Sequence, residues 1–266
     1  MANTKGNQYP AWIISASGQV LSVAADGTLK AQSPQDFAYD ISISTDGTVW
    51  VVSTTADPDG GGAKIYWSNG DNNWNEISTP NPGAASITGT ADGFCFYVTT
   101  GGDLWKLDTT SAAEKLSWAS NIVAVDYSSG ADRAVWAVFP DQPGQQPTLH
   151  FGKFGNKPNV FNWTLFPGNV SPTSISGNSN GNGYGLIAGV PWQYTQAGTS
   201  LKVDKGAKRG MYVSFKQGSI SGQDRFYLTT ASGNKDGNQV MIWQGDAGWV
   251  DAGFRAIKTL ATYYTH

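Results

Sequence analysis

A strand-rich pattern recurs along this sequence at spacings of 38 to 50 residues, and no other feature restricts the fold so strongly. Its best-preserved copy covers residues 39–74, where alternating Ile and Ser residues come before Asp46 and Gly47 and the apolar run 49–52. Period-2 alternation is typical of a half-buried strand, Asp-Gly of a tight hairpin turn, and a continuous β-branched run of a strand covered on both faces. With a third strand after that run and a fourth that begins at Trp74, the copy predicts a unit of four short strands.

The spacing of the copies predicts the number of units. Each copy has one residue at the position that Trp50 occupies in the second strand, and successive positions are 38, 46, 40, 50 and 41 residues apart. A four-stranded propeller blade takes about 40 to 45 residues. The sequence therefore predicts an all-β, six-bladed β-propeller with four-stranded antiparallel blades, or five blades if the least regular copy, residues 173–203, is an insertion. The six positions are Trp12, Trp50, Phe96, Trp136, Leu186 and Tyr227.

The two ends of the chain complement each other. The first copy, residues 9–31, has second, third and fourth strands but no first strand, whereas residues 256–262 resemble an innermost strand with nothing after it. Pairing the two ends in one blade would close the ring and remove the free strand edges between the first and last blades. We therefore predict that residues 256–262 pair with the strand that contains Trp12, and that residues 1–266 form a single β-propeller domain.

Composition restricts the partners and the cellular location. A net charge of −3 and a pI near 5.3 leave no basic surface for neutralising phosphates, so nucleic acid is not an expected partner. No apolar run approaches membrane-spanning length, and the N-terminus lacks the apolar core of a signal peptide. These features predict a cytoplasmic protein without membrane insertion, with release by a non-classical route as the alternative. The single cysteine, Cys95, lies between two Phe residues and is expected to be a buried thiol.

The sequence contains no arrangement that is typical of a catalytic or metal site. The two histidines, His150 and His266, are far apart in sequence, and one cysteine cannot supply ligands at zinc spacing. No serine or cysteine nucleophile is accompanied by a recognisable base. The sequence therefore predicts no metal, no cofactor and no enzymatic activity.

The best-preserved copy resembles a known repeat. Its segment ISISTDGTVW, residues 41–50, followed by Ile65 and Tyr66 and later by Trp74, is similar to the tectonin repeat. The resemblance covers most of the chain as a period, but the motif itself is well kept only in residues 39–74. It implies a β-propeller lectin of the tachylectin and fungal tectonin type, which binds glycans through pockets on or between blades. The implied function is multivalent carbohydrate binding, and the alternative is a non-catalytic propeller that binds proteins.

Tryptophans of the third strands are the candidate sugar-binding residues. Sugar C–H faces pack on indole rings, and nearby Asp and Asn side chains bond the hydroxyls. The second-strand aromatics have apolar neighbours and are assigned to the core, whereas the third-strand tryptophans adjoin polar hairpins. The predicted glycan-binding residues are Trp67, Trp105, Trp192, Trp243, Asn69, Asp71, Asn72, Asn73 and Asp103. Trp67 and Trp105 are the leading candidates, each in a pocket of its own, with the hairpin 69–73 beside Trp67 and Asp103 beside Trp105. The sequence leaves two interpretations open for the fourth-strand tryptophans, packing between blades or exposure to solvent. These residues are Trp74, Trp118, Trp163 and Trp249. The expected partners are glycans of glycoproteins or glycolipids, and the sequence leaves a homo-oligomer open.

Overall fold

The computed structural model describes residues 9–34, 37–56, 63–77, 83–90, 93–116, 120–128, 134–154, 161–178, 180–217 and 224–261. These residues form 24 strands in six antiparallel sheets of four strands each, arranged as the blades of a propeller. Within the same residues, the single helix is the three-residue 3-10 turn Gly245–Ala247, and no helix there is long enough to cross a membrane. The fold is a six-bladed β-propeller, as predicted.

Each blade has one strand at the centre of the ring and three strands that lie progressively further out. In that order, blade 1 consists of β24 (Lys258–Ala261), β1 (Ala11–Ile14), β2 (Val20–Val23) and β3 (Leu29–Ala31). Blade 2 consists of β4 (Ala38–Ile43), β5 (Val49–Ala56), β6 (Ala63–Ser68) and β7 (Trp74–Ile77). Blade 3 consists of β8 (Ala84–Gly89), β9 (Phe94–Thr99), β10 (Leu104–Asp108) and β11 (Ala113–Leu116).

The other three blades follow the same order. Blade 4 consists of β12 (Ala124–Ser128), β13 (Ala134–Phe139), β14 (Thr148–Phe154) and β15 (Phe161–Leu165). Blade 5 consists of β16 (Ile175–Gly177), β17 (Gly183–Ile187), β18 (Val190–Tyr194) and β19 (Ser200–Lys202). Blade 6 consists of β20 (Gly210–Gln217), β21 (Asp224–Asn234), β22 (Gly237–Trp243) and β23 (Trp249–Ala256). Because residues 175–202 form a complete blade, the five-bladed alternative is wrong.

The ring closes through the two ends of the chain, as predicted. Strand β24 pairs antiparallel with β1, and Lys258 lies opposite Ile14. The closing strand starts two residues later than predicted, because Ala256 still pairs with Asn238 in blade 6. The last predicted residue, Thr262, lies outside the described residues. Innermost strands contact one another in cyclic order, from β24 through β4, β8, β12, β16 and β20 back to β24.

The core lies between blades. Six clusters of buried apolar side chains fill the six interfaces, one between each pair of neighbouring blades. The buried second-strand residues Trp12, Trp50, Phe96, Trp136, Leu186 and Tyr227 each belong to a different cluster. The assignment of the five aromatic residues among them to the core is confirmed. Cys95 is buried as well, and burial raises the pKa of its thiol.

Candidate functional site

The innermost strands face the central channel with one unpaired edge. Each pairs with a second strand on one side, so its other edge would leave backbone N–H groups without partners. Side chains of the preceding blade accept bonds from these groups. Asp40 Oδ2 accepts a hydrogen bond from the backbone N–H of Ile87 at 2.9 Å, and Ser42 Oγ accepts one from Gly89 at 2.9 Å. Blade 2 is thereby joined to blade 3.

The same kind of bond joins later blades. Thr88 Oγ1 accepts from the backbone N–H of Tyr127 at 3.1 Å, which joins blades 3 and 4. Asp126 Oδ2 accepts from Gly177 at 2.8 Å, which joins blades 4 and 5. Ser174 Oγ, just before β16, accepts from Val213 at 3.3 Å and joins blade 5 to blade 6. Polar residues alternate along the innermost strands because this bond recurs from blade to blade.

The channel widens into a cavity of about 250 Å³ at the end where the innermost strands begin. Residues from all six innermost strands or the residues just before them line it. Val123, at this end, is 61% exposed, whereas Ser42 and Ser214 deeper in the channel are buried. The side chains that matter for its chemistry are Asp40, Ser86, Asp126, Tyr212 and Lys258, with Val123 at the rim. We call this cavity the channel mouth.

A lysine and a buried aspartate meet at the channel mouth. Asp40 Oδ1 accepts hydrogen bonds from the ammonium of Lys258 and from the backbone N–H of Ile41 at 2.8 Å, and Oδ2 is held by Ile87. The Lys258 side chain is 26% exposed, and its Nζ lies 5.6 Å from the centroid of the Tyr212 ring. Asp40 is thus fixed by two backbone groups and in turn holds the ammonium beside the cavity.

Several hydrogen-bonding groups at the channel mouth remain available to a ligand. An ammonium has three protons, and among the described residues Asp40 is the hydrogen-bond partner of Lys258, so two protons are left. Ser86 and Tyr212 are half-buried residues, and their hydroxyls make no hydrogen bond to the described residues. Tyr39, which also lines the mouth, is different: its hydroxyl donates to the backbone oxygen of Ala84, and burial, with Asp40 beside it, raises its pKa. The mouth therefore offers both donors and acceptors from separate blades.

The leading predicted sugar residues lie at the interface between blades 2 and 3. Trp67 and Trp105 are both half-buried and pack against the same apolar cluster, which contains Trp50. The Trp105 ring stacks on Tyr97 with centroids 6.2 Å apart and an interplanar angle of 16°. Its Nε1 is buried and has no hydrogen-bond partner in the part of the chain that the structure describes. These contacts are typical of blade packing, and the sugar-binding role of the two residues stays a prediction.

The other two predicted tryptophans have similar surroundings. Trp192 packs against the cluster of Trp136, and Trp243 meets Trp249 edge-on with centroids 5.5 Å apart. Of the fourth-strand tryptophans, Trp249 is buried, and its Nε1 donates to the backbone oxygen of Val203 at 2.8 Å. Trp74 and Trp163 are half-buried, and Trp118 lies outside the described residues.

The predicted polar partners belong to two different hairpins, one for each leading tryptophan. Asn69, Asp71, Asn72 and Asn73 belong to the hairpin between third and fourth strands, on the face opposite the channel mouth. Asp71 Oδ1 accepts from the backbone N–H of Asn73 at 3.2 Å, which stabilises the turn itself. Asp103 lies between second and third strands, on the mouth face, and pairs with Lys115 at 2.7 Å. The hairpin and Asp103 are thus at opposite ends of the blades.

Sequence reasoning missed the channel mouth. The signal was present in the first strands, where Asp or Ser alternates with apolar residues, as in D-I-S at Asp40 and S-I-T at Ser86. Alternation by itself predicts only a half-buried strand. The polar face of each first strand lines the channel mouth only when six such strands surround one channel and Lys258 lies beside Asp40.

No protein-family model matches this chain, and no curated protein is similar to it. Several solved structures have a fold similar to that of this chain. A streptogramin B lyase has a TM-score of 0.58 at 14% identity, covering 97% of this chain and 86% of its own. A gluconolactonase from Xanthomonas campestris has a TM-score of 0.60 at 10% identity, covering 85% of each chain. A structure of YCF48 bound to a D1 peptide has a TM-score of 0.51 at 10% identity, covering 97% of this chain and 82% of its own. The likeness is one of fold.

These comparisons correct one prediction. The chain was expected not to be an enzyme because its sequence lacks paired nucleophiles and metal ligands. Two of the similar propellers are described as a lyase and a gluconolactonase, so propellers of this kind include enzymes and the prediction is wrong. The tectonin resemblance has no counterpart among these three structures and stays a prediction.

Proposed function

We propose that this protein binds carbohydrate, and that a sugar unit occupies the channel mouth. The proposal rests on one observation: Ser86, Tyr212 and Lys258 line the same cavity, and their two hydroxyls and two protons of the ammonium have no hydrogen-bond partner among the described residues. Buried or half-buried polar groups are usually bonded, and groups that are not bonded to protein are available to water or a ligand.

The chemistry of these groups suits a sugar. Sugar hydroxyls both donate and accept, so they can accept from an ammonium and exchange bonds in either direction with Ser86 and Tyr212. The Tyr212 ring and the exposed Val123 offer apolar surface to sugar C–H groups. A cavity of about 250 Å³ is smaller than the sites of about 300 to 1,000 Å³ that hold drug-sized molecules, so one sugar unit fits better than a chain.

One similar structure gives a precedent for a sugar-derived ligand. The gluconolactonase is described as important in glucose secondary metabolic pathways. At 10% identity it supports the proposal only as an example of what a propeller of this size can recognise.

The proposal is tested by titrating a panel of monosaccharides in a calorimeter. The parent is compared with Tyr212→Ala, which removes ring and hydroxyl, and with Tyr212→Phe, which removes the hydroxyl alone. We expect Tyr212→Ala to weaken binding at least tenfold and Tyr212→Phe to weaken it less. Tyr66→Phe is the matched control, because its hydroxyl bonds Glu76 in the outer strands at 3.2 Å.

The same titration separates the channel mouth from the third-strand tryptophans. If sugar binds in the mouth, Trp67→Ala and Trp105→Ala change affinity less than twofold as long as the variants fold. Loss of binding in these variants, with Tyr212→Ala unaffected, would move the site to the blade interface and restore the multivalent form of the hypothesis. If no sugar in the panel binds, the carbohydrate proposal is wrong. Mass spectrometry of the same samples reports any conversion of the bound sugar.

A further inference from the structure

The charged groups of the channel mouth carry a second inference, which rests on the proposed function and names the ligand class of the same site. We propose that the mouth accepts neutral and amino sugars and rejects sugar acids, and that Asp40 and Lys258 together set this selectivity.

The Lys258 ammonium is surrounded by electron-rich groups. The Asp40 carboxylate bonds it directly, and this carboxylate is itself fixed by the backbone N–H groups of Ile41 and Ile87. The face of the Tyr212 ring, at 5.6 Å from Nζ, carries the negative part of the ring quadrupole. The ammonium can therefore still donate hydrogen bonds, but much of its attraction for a further anion is already taken up by Asp40 and Tyr212.

The cavity lining carries more negative than positive charge. Among its described residues, the acidic side chains are Asp40 and Asp126, and the one basic side chain is Lys258. A sugar carboxylate would add a third negative charge inside a cavity where charges are screened less than in bulk water. A sugar hydroxyl accepts the same bond from Lys258 and adds no charge.

Selectivity of this kind depends on repulsion rather than on an additional contact. A neutral sugar and its acid can make nearly the same hydrogen bonds, so the difference in affinity comes from the charge that the site disfavours. An amino sugar brings a positive charge, which the two carboxylates attract. The expected order of affinity is amino sugar at or above neutral sugar, with the sugar acid weakest.

The test uses three ligands that share one ring: the best-binding neutral hexose of the panel, its 6-carboxylate and its 2-amino derivative. At neutral pH and low salt, we expect the acid to bind at least tenfold more weakly than the neutral sugar, which is about 1.4 kcal/mol. Higher salt should narrow the gap, because ions screen the repulsion.

Two variants should move the selectivity in opposite directions. Lys258→Gln removes the positive charge, so the ratio of neutral-sugar to acid affinity should increase at least threefold, even though all ligands lose one hydrogen bond. Asp40→Asn removes one carboxylate and releases the ammonium, so the ratio should fall below threefold. Lys30→Gln, in the exposed outer strand β3, makes the same change in total protein charge as Lys258→Gln and should leave the ratio unchanged.

Each outcome decides a separate claim. Equal or tighter binding of the acid by the parent overturns this inference and leaves carbohydrate binding intact. If Lys258→Gln leaves the ratio of neutral-sugar to acid affinity unchanged, Asp40 and Lys258 do not set the selectivity. If Asp40→Asn does not fold, the Lys258→Gln variant alone tests the role of the pair. Absence of binding by every sugar of the monosaccharide panel overturns the proposed function itself.

Discussion

Blades 2 and 5 have the same four-stranded architecture and very different sequences. Blade 2 keeps the full repeat, and the buried Trp50 of its second strand donates from Nε1 to Ser44 Oγ of its own blade at 3.0 Å. The second strand of blade 5 reads GYGLI and begins with Gly183. A Cβ atom at Gly183 would lie 2.7 Å from Cδ2 of Trp136, a residue of blade 4. Gly183 is therefore small because a neighbour's indole ring fills the space.

The two blades show that the packing unit of this propeller spans two neighbouring blades. Trp136 donates from Nε1 to the backbone oxygen of Gly181, at the first turn of blade 5, at 3.2 Å. Its ring and Gly183 opposite it are complementary, so blade 5 lacks the repeat motif and still packs closely against blade 4. Sequence irregularity in one blade is compensated by the blade before it.

The largest expected effect is that of removing the indole rings. Trp136→Ala and Trp50→Ala should each lower the free energy of unfolding by about 3 to 5 kcal/mol, because both side chains are fully buried and leave cavities. Urea denaturation measures the change. Leu201→Ala, in the exposed outer strand of blade 5, is the control and should cost less than about 0.5 kcal/mol. A Trp136→Ala variant as stable as this control would contradict the account of blade 5.

A smaller effect is expected when the space opposite Trp136 is filled. Gly183→Ala should cost about 1 to 3 kcal/mol through overpacking against the ring. The same substitution made in a Trp136→Leu background should cost less than about 0.5 kcal/mol, because the clash is gone and the two positions are coupled. Equal costs in both backgrounds would show that the glycine is needed for a reason other than the neighbouring ring.

The parts of the fold that were predictable depend on local pattern. Strand alternation and turn residues are readable within one copy. The spacing of Trp50 and its equivalents gives six blades when copies are compared, and the incomplete first copy indicates the closing strand. Asp40 and Lys258 are 218 residues apart, and they meet only because the ring closes. The channel mouth therefore could not be found from any single segment.

The surroundings of the third-strand tryptophans also depend on the neighbouring blade. Trp67 and Trp105 adjoin polar hairpins in sequence, which indicated exposure. In the folded ring the neighbouring blade packs against them, and Trp105 meets Tyr97. Proximity to a polar turn does not tell which side of a strand a neighbouring blade will cover.

Ligand binding at the channel mouth can be tested by titrating ¹⁵N-labelled protein with the sugar and following the N–H signals by NMR. The backbone N–H groups of Ile41 and Ile87 bond Asp40, and that of Val213 bonds Ser174 at the cavity, so binding there should shift these signals saturably. The indole N–H signals of Trp67 and Trp105 should stay in place. Saturable shifts of these two indole signals, with the three backbone signals unmoved, would contradict the account.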